Sequence, residues 1–216
     1  MQLRDAVEDD VPGILSIYNE VITNSTAIYA EKAVTLDERL AWFKLRRQQG
    51  YPVLIASDDS GIIGFISFGD FRAWPCYLHT VEHSVHVRAD RRGRSVGRAL
   101  MEALIPRASA LGKHVLIAGI DADNVISLKL HRSLGFEQVA HFREVGRKFN
   151  RWLDLVFMQR FLDGPGAAPK SQLTRKLTSP PPLADRERPP TVIVLSLNES
   201  LAGWRAACDR ARARVW

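Results

Sequence analysis

The residues of this chain best suited to chemistry are the small and basic ones at positions 92–97, Arg-Gly-Arg-Ser-Val-Gly. An apolar periodicity of helical spacing follows at Val96, Leu100 and Leu104. The unpaired amide groups at the start of a helix attract anions, and small residues at 93, 95 and 97 let a phosphate approach the backbone closely. Arg92 and Arg94 add positive charge. The pattern, which is neither a Rossmann nor a Walker motif, predicts a phosphate-binding loop; the alternative is a basic helix start without a ligand.

A carboxylate interrupts the strand that precedes this loop. Val81, Val85 and Val87 alternate as in a half-buried strand, and Glu82 lies among them. Partial burial would raise the pKa of its carboxyl group, which makes Glu82 a candidate general base. The same alternation places Glu82 on the face opposite Val81 and Val85, so a solvated, outward-facing Glu82 is the alternative. His83 faces the other side of the strand, and a structural role is predicted for it.

The elements that must position these residues alternate along the chain. Strands are predicted at 2–7, 53–57, 62–70, 80–88, 115–120, 137–144 and 152–161. A first helix begins after Asp9 or Asp10 with Pro12 in its first turn, and a second begins at Thr35, whose capping box is completed by Glu38. Two more helices are predicted at 95–111 and 124–134, each followed by glycine.

The composition changes near residue 164. The chain has 216 residues, of which 46% are hydrophobic, enough for one core and an appendage. Seven of the 11 prolines lie between residues 165 and 190. We therefore expect a folded domain over 1–163, a Pro-rich disordered linker over 164–190, and a C-terminal appendage over 191–216 with a possible short strand and helix.

Charge and cysteine usage exclude several classes of function. Residues 165–216 hold nine of the 30 Lys and Arg residues and four of the 24 acidic ones, so the net charge of +6 belongs mainly to the tail. A nearly neutral folded part argues against a nucleic-acid partner.

No apolar run reaches the roughly 20 residues that span a membrane, and no signal peptide precedes the first strand. Two distant cysteines predict neither a metal site nor a disulfide, and favour a cytoplasmic location.

The order of elements and several motifs resemble the GNAT acyltransferases. Residues 92–97 resemble the acetyl-CoA signature [Q/R]-x-x-G-x-[G/A] of that family, with Ser95 in place of the first glycine. A positive φ at Ser95 would make this replacement costly. Further strings resemble the phosphinothricin and methionine sulfoximine N-acetyltransferases within it: Ile-Tyr-Asn at 17–19, Thr-Ala-Ile at 26–28, Thr-Val-Glu-His-Ser-Val at 80–85, Asn-x-x-Ser-x-x-Leu-His at 124–131, Leu-Gly-Phe at 134–136 and Lys-Phe-x-Arg-Trp-Leu-Asp at 148–154.

This resemblance, which spans about residues 3–162, implies a fold and a reaction. The expected fold is α/β (α+β), the GNAT fold with a central mixed β-sheet flanked by helices. The expected activity is transfer of an acetyl group from acetyl-CoA to an amine by direct attack, with Glu82 as general base and His131 as a second catalytic residue. No metal is expected. The residues expected to bind acetyl-CoA are Val85, His86, Val87, Arg92, Gly93, Arg94, Ser95, Val96, Gly97, Arg98, Asn124 and Ser127.

The acceptor implied by the resemblance is a small amino-acid analogue of the phosphinothricin or methionine sulfoximine type. Its carboxylate needs a cation, for which Arg72 is the candidate, with an exposed loop arginine as the alternative. Ile28, Tyr29, Lys148 and Phe149 are expected to shape the pocket. Because this family is commonly dimeric, a homodimer is expected. The alternative functions are acetylation of a protein N-terminus or a polyamine, and non-catalytic acyl-CoA binding.

Overall fold

The computed structural model describes residues 1–167. The predicted appendage and nearly all of the predicted linker therefore lie outside the described residues. The strands are β1 (Gln2–Asp5), β2 (Val53–Asp58), β3 (Gly61–Asp70), β4 (Thr80–Val87), β5 (Val115–Asp121), β6 (Glu137–Lys148) and β7 (Arg151–Phe161). The helices are α1 (Val11–Asn24), α2 (Leu36–Gln48), α3 (Val96–Ala110) and α4 (Val125–Ser133). Short 3-10 turns occur at Glu8–Asp10, Pro75–Tyr77 and Ala89–Arg91.

The seven strands form one mixed sheet in the order β1-β2-β3-β4-β5-β7-β6. The β4–β5 pair is parallel and every other pair is antiparallel. Helix α3 supplies the crossover that a parallel pair requires. This arrangement confirms the expected central mixed sheet flanked by helices.

Two apolar cores cover the two faces of the sheet. On one face, α3 and α4 pack Leu100, Leu104 and Leu128 against β3, β4 and β5. On the other face, α1 and α2 pack residues such as Ile14 and Phe43 against β2 and β3. Because side chains alternate along a strand, each sheet residue belongs to either the α3 face or the α1 face.

The start of α2 confirms the predicted capping box. The Glu38 amide donates to Oγ1 of Thr35 at 3.2 Å, and the Thr35 amide donates to Oε2 of Glu38 at 2.7 Å. At the start of α1 the prediction was half correct. Asp10 holds the N-cap position, but its carboxylate accepts hydrogen bonds from Arg4 and from the Val7 amide rather than from the helix.

The last hairpin is longer than the sequence pattern predicts. Strand β6 continues to Lys148 instead of ending at 144, because pairing with β7 resumes after a bulge between Phe142 and Gly146. Between these two positions, residues 143–145 of β6 lie opposite the single Asp154 of β7. Glu144 among them has φ +52°, and the two extra residues interrupt the alternation on which the prediction rests. The first strand is shorter than predicted and ends at Asp5.

Candidate functional site

The central feature of the site is a gap between β4 and β5. Their parallel pairing covers only Thr80–Val115, Val81–Leu116 and Glu82–Ile117. Beyond Glu82, residues 83–87 stay paired with β3 on one edge, and their other edge has no strand partner among residues 1–167. Val85, His86 and Val87 lie on this free edge, so an extended amide-containing ligand can pair there as an added strand would.

The start of α3 closes one end of this gap. Ser95 is the N-cap, makes no side-chain capping bond and has φ +61°. The amides of Val96, Gly97 and Arg98 precede the first intrahelical donor, Ala99, and are therefore open to an anion. The conformational cost that the sequence predicts for a serine at position 95 is thus present, because this left-handed conformation favours glycine.

An ion-pair network fixes the loop that leads into α3. Arg91 pairs with Asp58 at 3.0 Å and with Asp90 at 2.6 Å, and Arg88 pairs with Asp90 at 2.7 Å. These contacts tie the loop to the β2–β3 turn. The loop is therefore held in place by neighbours that are independent of any ligand, as expected of a preformed anion site.

Three arginines beside the α3 amides differ in what they contact. Arg92 pairs with Glu20 at 3.0 Å, and Arg98 donates to Ser133 Oγ at 2.7 Å. Arg94 is exposed and makes no ion pair or hydrogen bond within the described part of the chain. Gly93, with φ +74°, gives the turn a conformation that glycine adopts freely.

The start of α4 lies at the end of β5, on the other side of the gap. Asn124 is the N-cap, and its Oδ1 accepts a hydrogen bond from the Ser127 amide at 3.1 Å. The side-chain NH2 of Asn124 donates to no group among residues 1–167. Asn124 therefore caps the helix and still has a donor for a ligand.

Glu82 is half-buried on the α1 face of the sheet, where β4 and β5 separate. A Cβ atom on Gly119 would lie 3.0 Å from its Oε1 and 3.3 Å from the Phe157 ring, so the carboxylate lies over Gly119 beside Phe157. Burial raises the pKa of Glu82, and the positive charge of Arg72 opposes that rise. The charge of Arg72 thus acts on the Glu82 carboxylate, and a carboxylate whose pKa is raised by burial is suited to accept a proton.

An apolar cavity of about 300 Å³ adjoins Glu82 on the same face. Ile117, the pairing partner of Glu82, and Phe157, its neighbour, both line this cavity. The remaining lining residues are Phe71, Tyr77, Thr80, Val115, Val139, Ala140 and Gln159. The guanidinium carbon of Arg72 lies 4.8 Å from the centre of the Phe71 ring, so a cation lies near its rim.

His131 lies in the core between α4 and β4. It is 1% exposed, its ring stacks on that of His83, and their Nε2 atoms are 3.3 Å apart. Its Nδ1 lies 2.7 Å from the Ser127 carbonyl oxygen and donates to it. Both nitrogens of His131 therefore have partners inside the protein. Burial lowers the pKa of both imidazoles and favours their neutral forms, so His83 Nε2 donates its proton to Nε2 of His131.

The structure places the expected pocket residues Lys148, Phe149 and Tyr29 in different surroundings. Lys148 is 2% exposed, and its ammonium donates to the carbonyl oxygens of Ile22, Ser25 and Ile28. These bonds use all three of its protons, so Lys148 has none to offer a ligand. Phe149 is 54% exposed at the hairpin turn. Tyr29 lies against the backbone of Gly146 and donates to the Asp154 carbonyl oxygen at 2.9 Å.

Sequence reasoning missed Phe71, Phe157 and Gly119, which surround Glu82 and its cavity. Phe157 reaches the site only because β7 inserts between β5 and β6, a pairing that no local pattern reveals. Gly119 did carry a signal: a glycine within an apolar strand often marks the close approach of another group.

The described residues show neither a membrane span nor a metal centre. No helix among residues 1–167 is both long and apolar enough to cross a bilayer. In that same part of the chain, no three His, Cys, Asp or Glu side chains are arranged to hold a metal ion.

The chain is similar to known acetyltransferases over most of its length. The family profile of the acetyltransferase (GNAT) domain matches residues 3–157. The L-methionine sulfoximine/L-methionine sulfone acetyltransferase of Pseudomonas aeruginosa is 51% identical over 168 residues, a match that covers 77% of this chain and 98% of the relative. The L-amino acid N-acyltransferase of Escherichia coli is 46% identical over 163 residues, covering 76% of this chain and 95% of the relative.

A solved structure shows the same fold with a ligand. The phosphinothricin acetyltransferase of Sinorhizobium meliloti, crystallised in complex with acetyl-CoA, has a TM-score of 0.76 and 37% sequence identity to this chain. The match covers 78% of this chain and 92% of that structure.

Proposed function

The chain belongs to the GNAT acetyltransferase family and is an acetyl-CoA-dependent N-acetyltransferase, and we propose that its acceptor is the α-amino group of a small amino-acid analogue. The class proposed is that of methionine sulfoximine, methionine sulfone and phosphinothricin. One observation carries this proposal: Glu82 and Arg72 each lie beside a residue that lines the apolar cavity of about 300 Å³, Glu82 beside Phe157 and Arg72 against the Phe71 ring. An acceptor with an ammonium, a carboxylate and a compact side chain complements those three features.

The residues around the gap fit acetyl-CoA, which supplies the acetyl thioester. The open amides of Val96, Gly97 and Arg98, with Arg94 beside them, suit its phosphates. The free edge of residues 83–87 and the donor of Asn124 suit the amides of its pantetheine arm. The backbone N–H groups near Val85 are the available donors for the thioester oxygen.

We assign Glu82 the role of general base. An acceptor ammonium must lose a proton before its nitrogen can attack, and a carboxylate with a raised pKa accepts that proton directly or through a water. Arg72 binds the acceptor carboxylate, and Ile28 and Tyr29 shape the pocket from the loop between α1 and α2. His131 supports the site by holding α4 against β4, since its two nitrogens have core partners.

We further propose that the enzyme works in the cytoplasm as a homodimer. The outer strand β6, the hairpin turn and the start of β7 expose a group of large apolar side chains, a feature typical of subunit contacts. These are Val139, Phe142, Val145, Phe149 and Trp152. Equilibrium sedimentation of the full chain distinguishes a dimer from a monomer.

Release of the CoA thiol from acetyl-CoA tests the proposed acceptor. We expect efficient turnover with methionine sulfoximine, methionine sulfone or phosphinothricin. Two matched analogues serve as controls: N-acetylmethionine sulfone, which has no free amine, should be inert, and methionine sulfone amide, which lacks the carboxylate, should show a raised KM. Faster turnover of a polyamine or a peptide N-terminus would contradict the proposal, and binding of acetyl-CoA without turnover of any acceptor would favour the non-catalytic alternative.

A further inference from the structure

The Lys148 ammonium joins two segments that are far apart in sequence. Lys148 is the last residue of β6, and its Nζ donates to Ile22 at 2.6 Å, Ser25 at 2.7 Å and Ile28 at 2.8 Å. Side-chain bonds from one ammonium to three main-chain oxygens define a position more narrowly than an ion pair does. Lysine is almost never buried without such partners.

The three carbonyl groups belong to the end of α1 and to the loop that follows it. Ile22 lies in the last turn of α1, where carbonyl oxygens lack helical partners, and Ser25 is the C-cap. A cation at this end also interacts favourably with the helix dipole. Ile28 lies three residues further, in the loop over residues 25–35, here named the α1–α2 loop. One ammonium therefore ends the helix and orients the loop.

Two more contacts hold this loop. The side-chain amide of Asn19 exchanges two hydrogen bonds with the main chain of Val34, at 2.9 and 3.0 Å, near the end of the loop. In the middle, the hydroxyl of Tyr29 donates to the Asp154 carbonyl oxygen. Lys148 secures the beginning of the loop.

The α1–α2 loop lies on the face of the sheet that carries Glu82. The Tyr29 hydroxyl donates to the Asp154 carbonyl oxygen, which also accepts a hydrogen bond from the amide of Ala122, so this hydroxyl lies beside Asp121 at the end of β5. Alternation along β5 puts Asp121 on the same face as Gly119, over which the Glu82 carboxylate lies. The loop thus covers the end of β5 beside the proposed base.

We propose that Lys148 is a positioning residue for the acceptor: its ammonium fixes the α1–α2 loop, so that Ile28 and Tyr29 form a rigid wall of the acceptor pocket. This inference rests on the proposed function. It predicts that Lys148 affects acceptor binding although it contacts no substrate. It also predicts that Lys148 leaves acetyl-CoA binding unchanged, because the residues assigned to acetyl-CoA lie on β4, in the loop that leads into α3, and on α3 and the start of α4.

The test compares Lys148→Met, Lys148→Gln and Lys148→Arg, which are ordered from the most to the least disruptive substitution. Lys44→Met, at an exposed lysine of α2, is the control. For Lys148→Met we expect the KM for methionine sulfone to rise about tenfold or more, while kcat at saturation and the Kd for acetyl-CoA stay within about twofold. Lys148→Gln keeps two donors and should be intermediate, and Lys148→Arg should recover most of the effect. Hydrogen exchange should speed up at residues 25–35 and stay unchanged in β4 and α3.

Several outcomes would overturn the inference. An unchanged acceptor KM in Lys148→Met would show that the loop does not need the ammonium. A parallel loss of acetyl-CoA binding, or failure of all three variants to fold, would show that Lys148 supports the whole core rather than one loop. Wild-type enzyme that turns over no amino-acid acceptor would instead refute the proposed function, so the two failures are distinguishable.

Discussion

Replacing Ser95 with glycine should stabilise the protein. Ser95 is the N-cap of α3 at φ +61° and ψ +8°, and it makes no capping hydrogen bond that the substitution would remove. The left-handed conformation costs an L-residue roughly 1–2 kcal/mol, and glycine avoids that cost. Its greater freedom in the unfolded chain opposes the gain by about 0.4–1 kcal/mol. The free energy of unfolding should therefore rise by about 0.5–1 kcal/mol for Ser95→Gly.

Differential scanning calorimetry measures this difference. For a chain of this size, 1 kcal/mol corresponds to about 2–4 °C, so the Tm of Ser95→Gly should rise by about 1–4 °C. Ser95→Ala is the matched control: it keeps the Cβ and the strained φ and removes only the hydroxyl, so its Tm should stay within about 1 °C of the wild type. A lower Tm for glycine than for alanine would refute the reasoning, because it would show that no strain is relieved at this position.

Three further predictions concern the core and the acceptor pocket. Burial holds the pKa of His83, His86 and His131 below 6.5, so below that pH the unfolded chain binds more protons than the folded chain. The free energy of unfolding should therefore fall as the pH drops below about 6.5, and urea titrations should show a smaller fall for His83→Gln than for the wild type. In Gly146→Ala the new Cβ would lie 2.5 Å from the Tyr29 ring, so calorimetry should show a loss of about 1–3 kcal/mol, and steady-state kinetics a raised acceptor KM. Arg72→Met should raise the KM for methionine sulfone about tenfold but leave the KM for its amide unchanged, and Arg143→Met serves as the control. Equal effects on both acceptors would show that Arg72 does not recognise the carboxylate.

Local signals allowed much of the fold to be predicted. The capping box of Thr35 and Glu38 needs only four neighbouring residues, and the alternation around Val81 and Val85 is complete within β4. The predicted phosphate-binding loop is similarly local, because the helix start, the glycines and the arginines are adjacent in sequence. The structure of such elements is determined by steric contacts and hydrogen bonds between residues that are close in sequence, so a local sequence pattern is enough to predict them.

The rest depended on contacts between distant residues. Lys148 binds carbonyl groups about 120 positions away, so its burial could not be read from its neighbours. The pairing of His131 with His83 depends on how α4 packs on β4. The length of β6 depends on a bulge at Glu144 that only the register with β7 reveals. In each case a polar or strained residue is satisfied by tertiary structure, which local propensity does not encode.

The most direct test of the account measures acetyl transfer to methionine sulfone by Glu82→Gln, which keeps the shape of the side chain and removes its basicity. The account predicts that kcat falls by about 10²–10⁴-fold near neutral pH, that the Kd for acetyl-CoA is unchanged, and that Glu137→Gln, at an exposed position of β6, behaves as wild type. Glu82→Gln with wild-type kcat would contradict the account, because the acceptor would then lose its proton without Glu82.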